Sequence, residues 1–192
     1  SYIKSIFINI YGKKYYKFIN KKNLKLLVLT NFHKQFLNDL GFENKRVEIV
    51  PNHLEMKLNH NKSSSNYIIY AGRISKEKGV EELILAFQKA NLKDIKLKIV
   101  GDGPDLRFLK AKYENEGILF TGLKTNQETI EYIESSLAVV TATKLFEGQP
   151  TLLCEASSVG VPSIFPRSGG IDEFFPTQYK MSFEQFNYED FT

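Results

Sequence analysis

The 192-residue sequence has a single cysteine, Cys154, so no internal disulfide can form. With only His33, His53 and His60 besides, no Cys/His cluster has the spacing of a zinc site. Long apolar runs are missing as well. The longest aliphatic run, Leu26 to Leu29, is far short of the roughly 20 residues that a helix needs to cross a bilayer. No long Pro/Gly/Ser-rich stretch occurs, and a composition 42% hydrophobic and 25% charged argues against disorder. The chain opens at Ser1 without the charged-then-apolar pattern of a secretory signal. The expectation is a compact cytoplasmic protein without structural metal, long enough for one good core and part of a second domain.

Acid is absent from the first 38 positions, which hold eight lysines, so the overall charge of +4 hides a net acidic remainder. Basic charge mixed with Ile6, Phe7, Tyr15, Tyr16 and Phe18 fits a peripheral contact with anionic lipid at the inner face of the membrane. A solvated helix face is the alternative reading. With no arginine cluster and no recognised binding module, nucleic acid is not expected as a partner.

From Tyr67 onward short apolar runs alternate with longer helical patterns. Strands are expected at Tyr67 to Ala71, Lys96 to Val100, Ile118 to Thr121, Ala138 to Thr141 and Ser163 to Phe165. Between them apolar residues recur at helical spacing, as in Leu83, Ile84 and Phe87, or Leu106, Leu109 and Tyr113. Strands joined by crossover helices run parallel with right-handed connections, so the fold class is α/β, a Rossmann-like parallel sheet with helices on both faces. The first fifty residues read as a different unit. A basic helix to about Lys22 precedes a strand Lys25 to Thr30, a helix Phe32 to Leu40 stopped by Gly41, and a strand Val47 to Val50. Pro51 breaks the pattern, placing a boundary between 1–51 and 52–192, and the polar stretch Glu55 to Asn66 reads as an exposed connection.

Ligands of such sheets bind beyond the carboxyl ends of the strands, so the loops there carry the functional information. After the first strand, Gly72-Arg73 and Lys78-Gly79 place two cations five positions apart. They suit one anion between them, or simply solvent. Gly101-Asp102-Gly103-Pro104 reads as a tight turn with free amides at a helix start, suited to a ligand edge, though such dipeptides also mark ordinary turns. In Glu147-Gly148-Gln149-Pro150-Thr151-Leu152, Pro150 suits a first helical turn, which would aim the neighbouring amides into the cleft as an anion cradle. Glu155, four residues after Thr151, can reach the same mouth and accept from sugar hydroxyls. As an isolated residue it also reads as a surface acid favoured by the helix dipole. Cys154 reads as a packed thiol rather than a nucleophile.

Taken together and in this order, Gly-Arg-x4-Lys-Gly, Val100-Gly101-Asp102-Gly103-Pro104, and Glu147 with Glu155 at Glu-x7-Glu spacing resemble the donor-site motifs of the GT4 family of glycosyltransferases. The similarity runs from about Leu26 to Glu173, including Val50-Pro51-Asn52 and Gly169-Gly170-Ile171-x-Glu173. It implies the C-terminal half of a two-domain GT-B enzyme, with residues 1–51 a remnant of the acceptor-side N-terminal domain. By this resemblance Arg73 and Lys78 would hold the diphosphate of a UDP- or GDP-sugar, and Gly101 to Pro104 would border the base. Glu155 would bind the ribose hydroxyls, and Glu147 would sit beside the transferred sugar as the catalytic group. It further implies retention of anomeric configuration without a metal ion, in agreement with the lack of an Asp-x-Asp pair. The acceptor, a saccharide or lipid-linked glycan, would bind through the rest of the N-terminal domain, so these residues by themselves would bind donor with little or no transfer activity. His53 and the Thr143 to Phe146 loop depart from the family's commonest wording. A non-catalytic nucleotide-binding or assembly module of the same fold is the alternative reading, and the Glu-x7-Glu helix disfavours a sugar-nucleotide epimerase.

Overall fold

A computed structural model describes residues 2–22, 24–53 and 65–189, with backbone alone for 2–10 and Asn20. Positions 55–64 of the expected polar connection and the side chains of Ile6 and Phe7 lie outside the described residues. The chain forms two compact units, Ser1–Pro51 and Asn52–Thr192.

In the first unit, helix α1 (Tyr2–Lys21) is followed by β1 (Leu26–Val28), α2 (Asn31–Asp39) and β2 (Val47–Ile49), with β1 and β2 paired in parallel. The expected strand to Thr30 is shorter because Thr30 serves α2. Its hydroxyl oxygen accepts the His33 amide at 3.2 Å, satisfying a donor that the helix start leaves open. At the other end the chain leaves through Gly41 at φ +92. The Arg46 guanidinium donates to the carbonyls of Ile19, Lys22 and Leu24, tying the turn before β2 to the end of α1 and the segment after it.

The second unit is built on one parallel sheet of six strands. They are β3 (Tyr67–Ala71), β4 (Lys96–Val100), β5 (Ile118–Gly122), β6 (Ala138–Val140), β7 (Ser163–Arg167) and β8 (Ser182–Glu184). Their spatial order is β5-β4-β3-β6-β7-β8, the doubly wound order in which the chain reverses direction across the sheet between β3 and β6. Helices α3 (Val80–Ala90), α4 (Leu106–Tyr113), α5 (Asn126–Glu134) and α6 (Thr151–Ser158) make the crossovers.

Alternation along the strands sorts the core into two halves. Ile68, Tyr70, Leu97, Ile99 and Val140 pack with Leu83, Ile84 and Leu109 of α3 and α4. Tyr67, Ile69, Val100 and Val139 pack with Ile133, Leu153 and Ala156 of α5 and α6. Burial on both faces is why β3 reads as an unbroken apolar run rather than an alternating one.

The aromatic tail adds the sixth strand. Phe175 and Tyr179 lie against fully buried Phe165, with ring centroids at 4.3 and 5.7 Å. The Tyr179 hydroxyl accepts from Ser163 N–H at 2.8 Å and donates to Ser163 carbonyl at 2.7 Å. This anchor brings 182–184 alongside β7.

Candidate functional site

Two adjoining cavities open where β3 and β6 end, the point at which strand order reverses. One of about 380 Å³ is lined by Gly72, Arg73, Lys78, Thr143, Glu147 and the start of α6. The other, about 480 Å³, is lined by Gly72, Arg73, Gly101, Asp102, Asn126, Thr151 and Glu155. Both are walled by Gly72, Arg73, Thr151 and Leu152, so they form two lobes of one cleft.

The first lobe is organised around an ion pair. Lys78 Nζ donates to Glu147 Oε1 at 2.6 Å, and the Thr143 hydroxyl donates to the same oxygen at 3.1 Å. The two charged side chains are 30% and 20% exposed, so the pair is only partly screened by water. Two glycines seat it. Gly79 is left-handed at φ +68, and a Cβ there would stand 2.0 Å from the Ala142 carbonyl oxygen, so only glycine lets the loop carrying Lys78 close on the loop after β6. Gly169 is left-handed at φ +62, where a Cβ would stand 2.2 Å from the Glu147 carbonyl oxygen. That same oxygen accepts the Gly170 amide at 2.8 Å. The Glu147 backbone is thus clamped from the β7 side, while Ser168 Oγ donates to Leu145 carbonyl at 2.7 Å.

Beneath the lobe lies Tyr70, whose hydroxyl donates to the Arg73 carbonyl at 2.8 Å and fixes the turn after β3. Burial, reinforced by the carboxylates of Glu147 and Glu77, pushes its phenol well above the ordinary range and keeps it a proton donor.

At α6 the sequence expectation needs a small correction. Pro150 is not in the first turn but caps it, with extended backbone (φ −62, ψ 125), and the helix begins at Thr151. The first intrahelical bonds run from Leu153 and Cys154 amides to the Pro150 carbonyl, at 3.1 and 3.2 Å. The amides of Thr151 and Leu152 therefore lead the helix at the wall shared by both lobes. Gln149 has a different task for its side chain. It accepts the Asn52 amide at 2.6 Å and donates to the Asn52 carbonyl at 3.1 Å, a pairing across 97 positions. Gly148 is buried and is not among the residues lining either lobe.

The Gly101 to Pro104 turn is also corrected. Two of its amides are not free, because Gly101 N–H donates to the Gly122 carbonyl at 2.9 Å and Gly103 N–H to Asp102 Oδ1 at 2.7 Å. Gly103 packs on the backbone of Ile74, whose carbonyl oxygen a Cβ would approach to 2.1 Å. Gly101 and Asp102 remain at the wall of the second lobe, and α4 starts at Leu106 after a turn rather than directly. Glu155 reaches that lobe as expected. Half buried, its carboxyl is raised by desolvation, against which a hydrogen bond from Asn126 Nδ2 to Oε1, 3.2 Å long, acts in the opposite direction. The Cys154 thiol is half buried and likewise raised by burial, lining a third cavity of about 330 Å³ with His53, Pro150 and Phe175.

Sequence reasoning missed Thr143, Tyr70 and Asn126. Tyr70 reads as plain strand core and Thr143 as loop. Asn126 sits in Thr125-Asn126-Gln127-Glu128, whose only sequence signal is a capping box, and that box is formed.

Residues 54–192 match the model of the family described as glycosyl transferases group 1. This chain belongs to that family. Among its group 1 relatives, the GDP-mannose-dependent alpha-mannosyltransferase of Corynebacterium glutamicum is 31% identical over 131 residues, 68% of this chain and 30% of the relative. The N-acetyl-alpha-D-glucosaminyl L-malate synthase of Bacillus anthracis is 30% identical over 139 residues, 69% of this chain and 36% of the relative. The chain thus spans well under half the length of these curated relatives. In fold it resembles Anabaena Alr3699/HepE, solved with UDP-glucose, at a TM-score of 0.76 and 14% identity, covering 90% of this chain and 53% of that one. The expected architecture, a Rossmann-like half of a GT-B glycosyltransferase, is the one observed. In the group 1 chain described here, Lys78 and Glu147 come from loops 69 positions apart, yet share one hydrogen bond.

Proposed function

We propose that this chain is the donor-binding part of a retaining GT4 glycosyltransferase, one that moves a hexosyl group from a UDP- or GDP-sugar to a saccharide or lipid-linked acceptor in surface-glycan assembly. The observation that carries the reading is the single cleft at the strand-order reversal. It has Arg73, Lys78 and the leading amides of α6 toward one lobe and Glu155 in the other. Group 1 membership, a relative named for its dependence on GDP-mannose, and a neighbour of like fold solved with UDP-glucose all favour it.

In this reading the diphosphate lies along the wall that the lobes share. Cleavage of the bond between the anomeric carbon and the phosphate oxygen leaves the bonding pair on the nucleoside diphosphate. Arg73, Lys78 and the amides of Thr151 and Leu152 stabilise that growing charge from fixed positions, which is where preorganised electrostatics contribute most. This neutralisation calls on no metal ion. Glu147 stands where the sugar would lie, and Glu155 accepts from the ribose hydroxyls. The acceptor oxygen bonds to the anomeric carbon on the face that the leaving group vacates, and its proton passes to the departing phosphate oxygen. The acceptor itself would be held by the remainder of the N-terminal domain, so residues 1–192 bind donor and transfer little.

Calorimetric titration with UDP and GDP tests the reading: binding below millimolar concentration, lost on Arg73→Ala, is expected. No binding of either at millimolar ligand would remove it. Tyr11, Tyr15 and Phe18 are exposed on lysine-rich α1, which favours a peripheral contact with anionic lipid on the cytoplasmic face. Sedimentation with phosphatidylserine vesicles, absent with phosphatidylcholine alone, is the expected result there.

A further inference from the structure

We infer that Asn126 is a positioning residue for Glu155, and that through it the cleft distinguishes a ribose from a 2′-deoxyribose. The inference rests on the reading above, in which Glu155 meets the nucleotide's ribose, and extends it to a residue outside every motif in the sequence.

Asn126 and Glu155 come from different helices, α5 and α6, and line the same lobe, with Asn126 Nδ2 3.2 Å from Glu155 Oε1. A carboxylate only accepts, so the amide must present its NH2 group to it, which fixes the orientation of both. Asn126 is itself held firmly, because the turn that carries it is closed from three sides. Thr125 Oγ1 accepts the Glu128 amide at 3.2 Å, Glu128 Oε2 accepts the Thr125 amide at 2.9 Å, and the Thr129 hydroxyl donates to the Thr125 carbonyl at 2.8 Å. A glutamate side chain otherwise loses considerable rotamer freedom when it grips a ligand. Pinning one oxygen to a rigid helix start sets the carboxylate plane before the ligand arrives, and preorganisation of this kind appears as affinity. A vicinal diol can donate both hydroxyls to a carboxylate so oriented. A 2′-deoxyribose brings only one.

The test is to titrate the full 192-residue chain with UDP, 2′-deoxy-UDP and UMP, and with the guanosine series if GDP is the tighter ligand. Wild type should prefer UDP to 2′-deoxy-UDP by about tenfold, the size of one hydrogen bond to a charged group. Asn126→Ala should cut that preference to about threefold or less, while leaving the preference for UDP over UMP unchanged, since the diphosphate lies along the wall that the lobes share and Asn126 is not part of that wall. Asn126→Asp separates positioning from a structural role. An acid in the first turn favours the helix dipole, which offsets its repulsion from Glu155, so this variant should melt close to wild type. It also sets a second carboxylate against Glu155, so ribose preference should fall at least as far as in Asn126→Ala. An unchanged ribose preference in both variants overturns the inference and leaves the donor cleft standing. A parallel loss of UDP-over-UMP preference also overturns it, showing a general disturbance of the site. If wild type binds no nucleotide at millimolar concentration, the donor reading falls and the inference falls with it.

Discussion

The ion pair between Lys78 and Glu147 yields the sharpest quantitative prediction. Lys78 Nζ is 2.6 Å from Glu147 Oε1, and neither side chain is more than a third exposed. A diphosphate entering the first lobe competes with Glu147 for the same ammonium. Replacing Lys78 by Met removes one charge-assisted hydrogen bond, about 1.5–3 kcal/mol. It also leaves an unpaired carboxylate facing the anion, so UDP binding should weaken about 30-fold or more. Glu147→Gln has the opposite sign for this ligand, because it releases the lysine and removes a repelling charge. UDP should bind that variant as tightly as wild type or several-fold tighter. UDP lacks the transferred hexose, so any contact of Glu147 with that sugar does not enter. In the double variant the repulsion is gone, and about 1 kcal/mol of the loss in Lys78→Met should return. Calorimetry at low ionic strength on the four proteins reads all three quantities. If Glu147→Gln weakens UDP, or if adding it to Lys78→Met restores no affinity, the competition argument is refuted.

Gly169→Ala should destabilise the second unit by about 2–4 kcal/mol, combining a left-handed alanine with overlap on the Glu147 backbone. Urea denaturation would measure this, and a loss below about 0.5 kcal/mol would show that the clamp yields easily. Glu155 supplies a pH signature. Because burial raises its carboxyl in the folded state, the protonated form is favoured there, and its contribution to stability is complete below the unfolded value near pH 4. That contribution is lost as pH rises through the higher folded value. The stability of wild type relative to Glu155→Gln should therefore decline from about pH 4 toward neutrality, and a flat or rising difference in denaturant unfolding would contradict the assignment.

The fold was largely legible because its signals are local. Strand β3 is an apolar run of five residues and β4 sets Leu97 and Ile99 between lysines before Val100, both at the positions expected from the pattern, and α3 shows apolar residues at i, i+3 and i+4. Strand β8 was not legible. Ser182-Phe183-Glu184 has three residues and one buried side chain, and becomes a strand only because Tyr179 anchors the tail beside β7. Strand β1 was read too long for the converse reason, since Thr30 is better used as a helix cap than as a ladder residue. In the cleft, residue types and loop positions were visible for Arg73, Lys78, Glu147 and Glu155. What each already bonds to in the folded chain was not.

By itself the sequence determined most of the strands and helices of the second unit and which loops face the carboxyl end of a parallel sheet. These depend on periodicity, caps and glycines within a few residues of one another, and on motif order. Only the tertiary structure decided that Lys78 meets Glu147, that Asn126 holds Glu155, that Gln149 grips Asn52, and that the amide of Gly101 is already engaged by the Gly122 carbonyl. Such pairings join groups tens of residues apart. Their energies depend on distance and burial after the strands have crossed over, quantities that no local stretch of chain encodes.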